Sequence, residues 1–97
     1  MAKGYLIAQI DVHDGDAYAK YTAQTPGTVA NFDGKFIVRA GQWESLEGPA
    51  PGPRMVVIEF PSYARAKEWY NSEEYQAIIG LRQAASSGSA FIVEGAD

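Results

Sequence analysis

The stretch Glu47-Gly48-Pro49-Ala50-Pro51-Gly52-Pro53-Arg54-Met55-Val56-Val57-Ile58-Glu59-Phe60 decides how this chain is read. Its first seven residues hold three prolines and two glycines. That composition marks a connection, because proline lacks the amide hydrogen that a helix interior or an inner strand needs. Arg54 to Phe60 is then almost solidly apolar, the pattern of a strand covered on both faces. Ahead of the connection, Lys35 to Leu46 reads as another long strand, with Gly41 inside it marking a bulge or bend. Two consecutive strands joined by such a loop predict an antiparallel hairpin.

A helix is expected on each side of that hairpin. Upstream, Tyr18, Tyr21, Thr25, Val29 and Phe32 recur at helical spacing, and Asp33-Gly34 supplies the turn that follows. Asp14 is placed to cap this helix, and Asp16 puts negative charge where the helix dipole favours it. Pro26 interrupts the pattern, so a kinked or two-piece helix is expected over residues 15–31, with Thr25-Pro26 as a fresh start. Before it, Tyr5 to Val12 has the β-branched content of a strand. Leu6, Ala8, Ile10 and Val12 share one face, and Tyr5, Ile7, Gln9 and Asp11 the other. Downstream, Ser62 caps a short helix carrying Tyr63, Ala66, Trp69 and Tyr70, which Asn71 breaks. Ser72 caps the next helix, with Glu73 and Glu74 in its first turn and then Tyr75, Ile78, Ile79 and Leu81. Ser86 to Ser89 reads as a polar turn and Ala90 to Glu94 as the last strand.

The order is strand, helix, strand, strand, helix, strand: a single α+β domain over residues 1–97, with an antiparallel sheet covered by helices on one face. The other face is not polar enough to be solvated. Tyr5 and Ile7 lie on it, and neither face of the third strand is polar along its length. An open apolar face marks an interaction surface, and a second copy packed face to face would cover it. A homodimer is therefore expected.

Composition narrows the partners. The net charge is -4, and the basic residues Lys3, Lys20, Lys35, Arg39, Arg54, Arg65, Lys67 and Arg82 form no run, which argues against nucleic acid. No apolar run is long enough to cross a bilayer and no charged-then-apolar leader is seen, so no membrane association is expected. The absence of cysteine excludes disulfides, thiolate metal sites and Cys nucleophiles. A cytoplasmic location is the default expectation.

Several stretches resemble one family. They are Ala2-Lys3-Gly4-Tyr5, Gly34-Lys35-Phe36-Ile37-Val38-Arg39-Ala40-Gly41, Val57-Ile58-Glu59-Phe60-Pro61-Ser62-Tyr63, Trp69-Tyr70-Asn71-Ser72, Glu74-Tyr75-Gln76 and Val93-Glu94-Gly95. Together they resemble the domain of unknown function 1330 family, of the dimeric α/β barrel superfamily. The resemblance implies a ferredoxin-like subunit whose sheet pairs with a second sheet across a dimer. It brings no catalytic residue. It departs at Ala64, where an acidic residue is common in the family.

The polar residues inside strands are the candidate site. Gln9, Arg39 and Glu59 each interrupt an apolar run, and Arg39 and Glu59 are expected to be partners if both point into the barrel. One reading is an ion pair that fixes strand register or the dimer interface. The other is a pocket with Gln9 and Arg39 binding a small anionic organic ligand and Glu59 serving as a base. Trp43 is a candidate pocket wall. His13, the only histidine, is either a solvated turn residue or a base at a pocket mouth. No metal site is expected, since a lone His among Asp11, Asp14 and Asp16 lacks zinc-ligand spacing. No cofactor is expected either, and proton transfer is the chemistry this inventory allows an enzyme. The leading function is a small-molecule-binding homodimer, and the alternative is a structural or regulatory dimer with no ligand.

Overall fold

The computed structural model of the chain describes residues 2–97. Seven elements follow in order: β1 (Gly4–Val12), α1 (Gly15–Asn31), β2 (Lys35–Arg39), β3 (Arg54–Phe60), α2 (Tyr63–Tyr70), α3 (Glu73–Ala85) and β4 (Ser86–Glu94). The four strands form one antiparallel sheet in the order β2-β3-β1-β4. This is the expected ferredoxin-like α+β arrangement, with a helix after β1 and a broken helix after β3.

Strand alternation builds the core. Leu6, Ala8 and Ile10 of β1 and Val56, Ile58 and Phe60 of β3 are buried on one face. The helices meet that face with Tyr18, Tyr21, Val29, Ala66, Trp69, Tyr75, Ile78 and Ile79. The register places the remaining residues in cross-strand rows on the open face. Phe91, Ile7, Val57 and Val38 make one row across all four strands. Val93, Tyr5, Glu59 and Lys35 make the next, and Ser89, Gln9 and Met55 a third. Phe91, Val93, Val38 and Ile37 are exposed large apolar residues.

The caps form as the sequence predicts. Asp14 accepts from the Ala17 amide at 3.1 Å, Ser62 from Arg65 at 3.0 Å and Ser72 from Tyr75 at 3.2 Å. Each satisfies one amide that a helix start leaves without an internal acceptor.

Three expectations are corrected. First, α1 is one continuous helix through Pro26, not two pieces with a new start at Thr25. Tyr18 and Tyr21 before the proline and Thr28 and Val29 after it are all buried, so packing on both sides holds a helix that propensity alone would break. The Thr25 hydroxyl adds a bond to the Tyr21 carbonyl at 2.6 Å in the same turn. Second, β2 ends at Arg39 rather than Leu46, and its irregularity lies between Phe36 and Val38 rather than at Gly41. Ala40 adopts a φ of 56°, which turns the chain out of the strand direction. Third, Ser86 to Ser89 is the first half of β4, not a turn. Pairing along β1 to Val12 overrides the weak strand preference of these residues. Gly88 is required there, since its φ is 140° and a side chain would collide with the Gln9 carbonyl.

Candidate ligand-binding site

A cavity of about 340 Å³ lies between the buried face of the sheet and the helices. Its sheet wall is Leu6, Ala8, Ile10, Phe36, Val56, Ile58 and Ala90, with Arg39 and Arg54. The helices supply Tyr18, Tyr21, Thr22, Thr25 and Pro26 from α1, Trp69 and Tyr70 from α2, and Tyr75 and Arg82 from α3. The charged groups in this lining are three arginines, and no Asp or Glu accompanies them.

Each arginine is held by the fold. Arg54 pairs with Ile10 across β3 and β1, so its side chain starts on the helix-facing side. Its guanidinium lies 5.3 Å from the Tyr18 ring centroid, and its Nε is buried without an acceptor among the described residues. Arg39 pairs with Val56 on the same side, with its guanidinium 4.0 Å over the Phe36 ring. Arg82 follows Tyr75, Ile78 and Ile79 at helical spacing and so shares the inward face of α3.

Two phenols close the interior. Tyr21 and Tyr75 hydroxyls lie 2.7 Å apart, both on buried side chains. Burial first, and then the adjacent Tyr75 oxygen, push the Tyr21 pKa well above the ordinary tyrosine value, so Tyr21 keeps its proton. For Arg82, burial works against the charge, but the Tyr75 and Tyr21 oxygens together outweigh it and raise the pKa. Trp69 packs on Tyr75 with ring centroids 4.1 Å apart and donates its indole N–H to Thr28 Oγ1 at 3.0 Å.

The expected partnership of Arg39 and Glu59 does not form, because the two residues lie on opposite faces of the sheet. Simple alternation from Lys35 would have put Arg39 on the Glu59 side. The register instead runs Phe36 to Ile58 and Val38 to Val57, so one extra residue in β2 inverts the phase before Arg39. Glu59 meets Lys35 Nζ at 3.6 Å, Lys3 Nζ at 4.0 Å and the Tyr5 hydroxyl at 3.5 Å on the open face. Gln9 is half-buried on that same face, next to Met55. Trp43 lies on the exposed connection after β2, donating its indole N–H to the Pro53 carbonyl at 2.9 Å. His13 is exposed in the turn before α1, its amide bonded to the Ala85 carbonyl at 2.8 Å. Of the five residues singled out from the sequence, Arg39 alone lines the cavity.

Sequence reasoning passed over Arg54 and Arg82, yet both carried a signal. Arg54 shares the even phase of Val56, Ile58 and Phe60, and Arg82 the phase of Tyr75 and Ile78. A charge in the apolar phase of an element points inward and needs an explanation.

A family model for the domain of unknown function DUF1330 matches residues 3–96. The chain belongs to this family. Among curated proteins none matches it by sequence. This DUF1330 member is similar in structure to RPA0582, a protein of unknown function from Rhodopseudomonas palustris. The TM-score is 0.79 at 20% identity, over 99% of this chain and 84% of that one. It is also similar to SnoaB, a cofactor-independent oxygenase from Streptomyces nogalater, with a TM-score of 0.67 at 12% identity, over 100% and 96% of the two chains. An antibiotic biosynthesis monooxygenase gives a TM-score of 0.59 at 13% identity, over 100% and 98%. At these identities the likeness shows the fold. No helix among the described residues is long and apolar enough to cross a membrane.

Proposed function

We propose that the protein is a homodimer that binds a small anionic organic molecule in the cavity between its sheet and its helices. The observation that carries this reading is the lining: three guanidinium groups and no carboxylate, set among aromatic and aliphatic side chains. Partly buried positive charge without a counter-ion is costly, and an entering anion supplies the missing partner. The volume falls at the lower end of the range of about 300–1,000 Å³ usual for small-ligand sites. A ligand-free structural dimer would be better served by a filled interior. The fold hosts many chemistries, so likeness to oxygenases assigns no reaction here.

The dimer rests on the open face. The row Phe91, Ile7, Val57 and Val38 is apolar across the whole sheet, and a second sheet laid on it would remove that row from water. Glu59 with Lys35, Lys3 and Tyr5 then forms a polar band at the interface. Gln9 joins the interface beside Met55.

Titration calorimetry with 2-naphthoate tests the binding reading. Saturable binding at one site per protomer is expected, weakened about tenfold or more in Arg54→Gln by loss of a charge-assisted hydrogen bond. Absence of binding to the wild-type protein at millimolar 2-naphthoate would contradict it.

A further inference from the structure

The chain has four arginines, and they divide sharply. Arg65 has carboxylates within 3.2 Å on two sides, from Asp33 and Glu68. Arg39, Arg54 and Arg82 all line the cavity, and among the described residues none of them makes an ion pair. In a chain of net charge -4, with acids available, this grouping is not a by-product of composition.

The fold gathers the three at one end of the sheet. Arg54 begins β3 opposite Ile10, and Arg39 ends β2 opposite Val56, on the same face. The Ala85 carbonyl, at the end of α3, accepts the amides of His13 and Asp14, which anchors the last turn of α3 beside the end of β1. Arg82 sits one turn before that anchor. The aromatic part of the lining extends the other way, through Tyr75 to Trp69 and Tyr70 of the helix that follows β3. Exposure follows the same division: Arg39 is exposed and Arg54 and Arg82 half-buried, whereas Trp69 and Tyr75 are 1% and 2% exposed.

Resting on the binding reading above, we propose that the occupant carries a doubly negative head group on a flat aromatic body. The head lies among Arg39, Arg54 and Arg82, and the ring enters toward Tyr75 and Trp69. A phosphate monoester and a pair of neighbouring carboxylates share this chemistry. A single negative charge would leave two of the three guanidinium charges around the cavity unbalanced, whereas two negative charges leave one. The planar, multiply donating guanidinium suits both head groups, since each presents several acceptor oxygens. Tyr75 and Tyr21 raise the Arg82 pKa despite its burial, so Arg82 keeps its charge.

The test is a calorimetric series on the full-length protein with 2-naphthamide, 2-naphthoate, naphthalene-2,3-dicarboxylate and 2-naphthyl phosphate. The expected order is amide weakest, naphthoate intermediate, and at least one dianion about tenfold or more tighter than naphthoate, the value of one further charge-assisted bond. The dianion that gains identifies the source, phosphate ester or paired carboxylates. Arg82→Gln and the exposed Arg39→Gln should each reduce that gain toward the naphthoate value, with a smaller effect on amide binding. Naphthoate binding with neither dianion tighter overturns the doubly charged head group and leaves the binding reading standing. No binding by any of the four overturns both.

Discussion

Thr28→Val isolates one buried contact that ties α1 to the broken helix after β3. The Thr28 hydroxyl accepts the Trp69 indole N–H at 3.0 Å, and both side chains are buried. Valine keeps the shape and removes the acceptor, leaving an indole N–H without a partner at a cost of about 1–3 kcal/mol. The hydroxyl also donates to the Thr25 carbonyl at 2.9 Å. That carbonyl already serves the helix, so its loss adds only about 0.5 kcal/mol. The expected total is about 2 kcal/mol, or roughly 10 °C in Tm for a domain of this size. In a Trp69→Phe background there is no donor to strand, and Thr28→Val should cost only about 0.5 kcal/mol. The coupling is therefore about 1.5 kcal/mol, measured by urea unfolding of the four proteins at one fixed protomer concentration. An equal cost of Thr28→Val in both backgrounds would refute the reasoning.

Gly4→Ala should lose about 1–3 kcal/mol, because a Cβ there meets the backbone of Ser62 and Tyr63, which cannot swing away. Gly80→Ala, inside α3 with nothing within 4 Å, should instead gain about 0.5–1 kcal/mol, and chemical denaturation distinguishes the two signs. Val57→Lys puts a charge into the middle of the apolar row on the open face, and sedimentation should find monomers with an unchanged circular dichroism spectrum. The raised pKa of Tyr21 means that its burial is fully compatible with folding below the ordinary tyrosine value of 10.0 and increasingly unfavourable as pH rises past it. Tyr21→Phe should flatten the loss of stability measured between pH 9 and about 11, relative to wild type.

The architecture was legible because alternation and capping are local signals. The two faces of β1, the hairpin around the proline-rich connection and the caps at Asp14, Ser62 and Ser72 follow from residues close in sequence. The failures share a cause. Continuity of α1 through Pro26 and recruitment of Ser86 to Ser89 into β4 are decided by partners far along the chain. The cavity lining was legible only in part. Arg39 and Glu59 were expected as partners, in an ion pair or a pocket, but one extra residue near Ile37 moved Arg39 to the face opposite Glu59. Tyr18, Tyr21, Thr25 and Val29 of the predicted stripe are buried, as expected. That the stripe leaves a cavity instead of filling it depends on side-chain packing across three elements, which periodicity does not encode.

Native mass spectrometry of the protein purified gently from its own host tests the central claim most directly. A dimer carrying a dissociable small organic mass, lost or reduced in Arg54→Gln, is expected. A monomer without an adduct would contradict both the covered sheet face and the occupied cavity.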